Sequence, residues 1–122
     1  MKNSFTGYAS FNTGEPLRAI DFDPGELGAE QVEVAVEYCG ICHSDVSMLD
    51  NDWGMTKYPI VPGHEIVGKV VAVGAHAKNL KIGQRVGIGW SSGSCLACRH
   101  CLSGDQNLCA QNEGVIVGRH GG

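Results

Sequence analysis

No run in this sequence approaches the ~20 consecutive apolar residues that a bilayer-spanning helix needs, so no membrane partner is expected. Lysine and arginine never cluster. Nine of them stand against thirteen acidic residues, for a formal charge of -4. A phosphate-binding surface needs the opposite balance, so nucleic acid is not an expected partner. The N-terminal MKNSFTGYAS lacks the apolar stretch of a secretion signal, and a reducing, cytoplasmic setting follows as the expectation. There is no internal repeat. The nearest approach to a G-x-G-x-x-G phosphate loop is GIGWSS at 87–92. It lacks the third glycine and runs into cysteines instead of a helix, so no nucleotide loop is expected in these residues.

What is present suits a small globular unit. The chain has 122 residues, 43% of them hydrophobic, which allows one domain with a modest core. Eighteen scattered glycines between short β-branched runs predict short strands joined by tight turns. The candidates are 4–10, 16–22, 31–38, 66–73 and 85–89. In EQVEVAVEY, Val32, Val34 and Val36 share one face. IVGKVVAVG is almost wholly apolar, which predicts a strand buried on both faces. DPGELG at 23–28 is turn chemistry. A short helix is predicted from Ser44, with Ser44 as N-cap and Val46, Met48 and Leu49 inward. Cys39 is expected in the core. The predicted class is mainly β, a small and partly open barrel with short helices.

Four of the six cysteines fall in CLACRHCLSGDQNLC, at Cys95, Cys98, Cys101 and Cys109. In a reducing compartment, clustered thiols more often bind metal than form disulfides. Four thiolates close zinc's tetrahedron and leave no open position, so such a site is structural. The surrounding segment has almost no apolar residues, and metal ligation would replace the missing core. Arg99 would offset part of the tetrathiolate's charge. An iron–sulfur cluster is the rival, but its usual run places the fourth cysteine three residues on, followed by proline. Here the gap is seven and Ala110 follows.

A second cluster lies upstream in CGICHSD, 39–45, and VPGHEIVG, 61–68. Cys42 and His64 both fall at predicted strand ends, where sites form. By residue type alone His64 more often reads as a loop or hydrogen-bonding histidine, and Cys42 as a small buried hydrophobe.

GHEIVGKVVAVGAHA, residues 63–77, together with CGICHSD and C-x2-C-x2-C-x7-C in that order, resembles the zinc-containing alcohol dehydrogenases of the medium-chain dehydrogenase/reductase superfamily. The H-S-D sequence and GWSSGSC are similar to its yeast-type and cinnamyl-alcohol-dehydrogenase-like branches. The resemblance implies a GroES-like, partly open β-barrel over residues 1–122, with a structural-zinc lobe at 91–112. It implies that Cys42 and His64 hold a catalytic zinc, with Glu65 as an acidic neighbour able to approach it. Ser44 would take the alcohol proton, and Asp45 would orient the histidine. His43 would contact the cofactor pyrophosphate, and Trp53 and Trp90 would line the substrate pocket. Zinc with one position open polarises an alcohol, and a nicotinamide, NAD(P), accepts the hydride. The partner is then a small alcohol or aldehyde, and a homo-oligomer is compatible with this reading. Ser47 stands where many relatives carry a relay histidine. The family's third zinc ligand and its Rossmann domain lie beyond Gly122, so these residues read as an incomplete enzyme, inactive alone. The alternative is a non-catalytic zinc-binding module.

Overall fold

Five of the strands form where the β-branched runs place them. The computed structural model describes residues 4–118, so the terminal RHGG falls outside the described residues. It contains β1 (Phe5–Ala9), β2 (Arg18–Phe22), β3 (Val32–Gly40), β4 (Glu65–Val73) and β5 (Arg85–Ile88). Two very short strands, β6 (Ser91–Gly93) and β7 (Glu113–Gly114), were not legible, because Ser-Ser-Gly and Glu-Gly carry no β signal. All pairings are antiparallel, in three separate sheets: β1–β2, β3–β4–β5 and β6–β7. The class is mainly β, and the sheets do not close into a barrel.

The helix α1 spans His43–Leu49, and Cys42 is its N-cap, not Ser44. Asp45, at the third helical position, accepts from the Cys42 N–H at 2.9 Å. That is the returning half of a capping box, and it fixes the helix start two residues earlier than serine's capping preference suggests. The earlier start also rotates Val46 outward, to 41% exposed. The inward stripe is Asp45, Met48 and, partly, Leu49. At the other end, the Thr56 hydroxyl donates to Met48 O and the Tyr58 hydroxyl to Leu49 O, each at 2.6 Å. These bonds occupy carbonyls that the helix itself leaves free.

Met48 packs with Ile60 and Ile116 in a small core, flanked by Leu49 and Tyr58. A bridge between Ser10 and Ile60 ties β1 to this core. Ile116 follows β7, so the core joins α1 to the base of the cysteine lobe.

Two expectations about burial fail. β4 alternates: Gly68 and Val70 are buried while Val67 and Val71 are exposed. One face of the β3–β4–β5 sheet is uncovered among the described residues, and it carries charge. Glu37 pairs with Arg85 at 3.0 Å and with Lys69 at 3.5 Å. The Arg85 hydrogen bond, with smaller help from Lys69, holds the Glu37 carboxyl below its usual range against slight desolvation. On β3, Val32 and Val34 are partly covered but Val36 and Cys39 are exposed. Register irregularities at Glu33/Val34 and Val36/Tyr38 break the alternation that a regular strand would keep.

Candidate metal centres

The four sulfurs of Cys95, Cys98, Cys101 and Cys109 lie within 4.8 Å of one another. Sulfurs at tetrahedral corners about 2.3 Å from one zinc would be about 3.8 Å apart. Cys95 Sγ and Cys101 Sγ are 3.9 Å apart. Cys101 and Cys109 are buried, and Cys95 and Cys98 half-buried. Main-chain N–H groups are aimed at the sulfurs: Cys98 N at Cys95 Sγ (3.3 Å), Cys95 N and Gln111 N at Cys109 Sγ (3.5 and 3.3 Å). Such donors favour the thiolate that a metal needs.

The thiol titrations reflect this crowding. The Ala97 and Cys98 N–H groups, with the Cys109 thiol, bring Cys95 down to about 6. Cys98 is pulled down by the Cys101 N–H, yet burial and the three neighbouring thiols push it up to about 11. Cys101 is lowered, first by the Ser94 hydroxyl. Four thiolates cannot share this volume without a cation among them. The donor set fits a tetrahedral zinc.

The second centre is assembled across the fold. Cys42 caps α1, His64 immediately precedes β4, and Glu65 opens it. One donor atom from each of the three lies within 4.8 Å of the others. Asp45, buried on α1, holds the group together. Its Oδ2 accepts from Cys42 N, while Oδ1 accepts from Gly63 N at 2.9 Å and meets His64 Nδ1 at 3.1 Å. Nδ1 is thereby occupied, and Nε2 is the nitrogen left for a metal. Gly63 has a φ of +125°, a conformation that suits glycine and carries the chain from its Asp45 bond into His64. Gly40 leaves room for Glu65: a Cβ there would collide with that carboxylate. A thiol, an imidazole held from behind and a carboxylate fit a zinc site with a position open.

Aromatic rings border this centre. The His64 and Trp90 rings are 4.7 Å apart at 80°, and the Trp90 and Trp53 rings 6.5 Å apart at 65°. Trp90 and Trp53 are 43% and 50% exposed, so the row leads from a buried imidazole to open surface.

The structure thus brings Cys42, Ser44, Asp45, His64 and Glu65 together, with Trp53 and Trp90 adjoining. The Ser44 hydroxyl lies 3.6 Å from Cys42 Sγ. His43 is exposed on the first turn of α1, and Ser47 is buried on the same helix. Sequence reasoning missed three features: the Asp45 bonds to Cys42 N and Gly63 N, and the His64–Trp90 ring contact. Only the first had a signal, an acidic residue three after the cap.

A match to the family described as "Alcohol dehydrogenase GroES-like domain" covers residues 28–122. Aldehyde reductase AdhA of Synechocystis sp. is 51% identical over 115 residues, 94% of this chain and 34% of the relative. Cinnamyl alcohol dehydrogenase 7 of Arabidopsis thaliana is 46% identical over 103 residues, 84% of this chain and 29% of the relative. Among solved structures, a CAD from Helicobacter pylori complexed with NADP(H) superposes with a TM-score of 0.89 at 35% identity. That match covers 94% of this chain and 33% of the other. The chain therefore spans about a third of the length of these relatives.

Proposed function

Since the chain belongs to the GroES-like domain family of zinc-containing alcohol dehydrogenases, in the medium-chain dehydrogenase/reductase superfamily, we propose that it is the catalytic part of a zinc-dependent enzyme. That enzyme transfers hydride between a primary alcohol or aldehyde and NAD(P). The observation that carries this reading is the three-donor centre of Cys42, His64 and Glu65, buttressed by Asp45 and bordered by two half-exposed tryptophans. The relatives' printed activities, aldehyde reduction and cinnamyl alcohol oxidation, supply the substrate class.

When bound, zinc lowers the pKa of an alcohol and stabilises the developing oxyanion, and the nicotinamide takes up the hydride. The chain's own residues do the rest. Asp45 holds His64 in the tautomer that presents Nε2. The Ser44 hydroxyl, beside Cys42 Sγ, accepts the alcohol's proton as it passes its own to solvent water. Trp53 and Trp90 exclude water from the hydride path and present flat apolar surface to an aliphatic or aromatic substrate. His43, exposed at the head of α1, contacts the cofactor pyrophosphate. The cysteine lobe holds a structural zinc and takes no part in proton or hydride movement.

The test uses the polypeptide that also contains a nucleotide-binding domain. Cys42→Ala should lower kcat/KM for aldehyde reduction by about 10³ or more, the scale of losing a catalytic metal's charge stabilisation. It should leave one zinc per chain, held by the lobe. Undiminished activity in that variant rejects the catalytic-zinc reading and leaves a non-catalytic zinc-binding module in its place.

A further inference from the structure

His64 is buried, and a hydrogen bond that its Nδ1–H donates to Asp45 sets where its ring points. The covalent tether at Cβ and that hydrogen bond fix two points of the ring, which leaves a tilt about the line through them. A further contact, off that line, is needed to fix the plane in which Nε2 lies. The Trp90 indole supplies one, at 4.7 Å and 80° to the imidazole.

Trp90 is itself held from the other side. Its carbonyl accepts from Val115 N at 2.8 Å. The next residue, Ser91, pairs with Gly114 across β6–β7. Ser91 also exchanges side-chain hydrogen bonds with Asn112, at 2.9 and 3.2 Å. Nearly half of the indole's surface is exposed, so it is not fixed by core packing. The paired base of the cysteine lobe fixes it.

We propose that Trp90 is a positioning residue for His64: anchored by the β6–β7 base, its ring sets the imidazole plane that the pocket offers to a metal. The inference rests on the reading of Cys42 and His64 as metal donors. It differs from a role in lining the substrate pocket, because it acts when no substrate is present.

The experiment is a titration of the protein with Co²⁺, without alcohol or nicotinamide, following the visible d–d and thiolate charge-transfer bands. The wild-type protein should take two equivalents, one on the four cysteines and one in the pocket. Trp90→Leu keeps an apolar side chain without a ring. It should weaken the pocket equivalent by about three- to ten-fold, the factor that an aromatic ring pair is worth. It should also alter that site's d–d bands while leaving the lobe's equivalent as it was. Trp90→Phe restores a ring and should bring the affinity back to within about two-fold on the same scale. Asn112→Ala keeps both rings but loosens the anchor, and should shift the pocket in the same direction by less. Two wild-type equivalents with an unchanged pocket affinity and spectrum in Trp90→Leu overturn the positioning role alone. A single wild-type equivalent, on the cysteines, overturns the metal reading of the pocket and this inference with it.

Discussion

The cysteine lobe and the Cys42–His64 pocket collect metal-binding groups in opposite ways. The lobe draws four sulfurs from fifteen consecutive residues, with main-chain N–H groups of the same segment turned on them. Its neighbourhood supplies little apolar cover, so metal and fold are one event there. The pocket draws a thiol from a helix cap, and an imidazole and a carboxylate from the start of β4, beyond 21 intervening residues. Those groups meet because Asp45, Gly63 and the Met48–Ile60–Ile116 core bring α1 and β4 together first. In the lobe a metal would organise the chain, whereas in the pocket the chain would organise the metal. The first site should be tight and closed, the second weaker and open.

The largest effect should come from breaking the lobe. Cys98→Ser should lose one zinc equivalent and the order of residues 94–112, measured by metal analysis and amide exchange. Zinc content equal to wild type would contradict the assignment of those four sulfurs. His64→Ala should remove the other class. Slow chelator titration of the wild-type protein should release a labile zinc before a resistant one, and the variant should lack only the labile one. A single class of zinc, or loss of the resistant one, would erase the distinction between the sites. Asp45→Asn sharpens the comparison without deleting a donor. It should weaken pocket zinc by about 10- to 100-fold, as for other carboxylates behind a ligand histidine. Lobe affinity should not move in the same competition assay.

The smallest effect concerns pH. In the metal-free lobe Cys95 titrates at about 6 against an ordinary thiol value of 9.0. The depressed value means that the folded arrangement favours the thiolate. Its contribution is complete above the ordinary value and is lost as pH falls through about 6. Ultraviolet thiolate absorbance of the metal-free protein should show that first step, and Cys95→Ala should erase it.

The lobe was legible in the sequence because its spacing is local. Cys42, His64 and Asp45 were legible only through family motifs, since 21 intervening residues hide their meeting. The strand positions followed from β-branched runs, but their burial did not. Val67 and Val71 are as apolar as core residues, and no local pattern says that the sheet face above them stays uncovered among the described residues; Cys39, paired with Ile66 on the other face, is exposed as well. Ser44 was chosen as the helix cap on residue type. Asp45's reach back to Cys42 decided otherwise, and the decision carried Val46 outward with it. The His64–Trp90 contact joins residues 26 apart, one just before β4 and one just before β6, which neither periodicity nor motif encodes.

Because Ser91 and Gly114 lie side by side in β6 and β7, the lobe leaves and re-enters the fold at one point. In connectivity it is a cassette. Whatever closes that short hairpin, a knot of cysteines or a tight turn, presents the same two ends to Trp90 and Ile116. Closing it with fewer residues lowers the loop-closure entropy cost slightly. A version with 94–111 replaced by a turn, Asn112 retained against Ser91, should keep the pocket's donors in register while losing the second metal, which makes the lobe a replaceable part of the architecture.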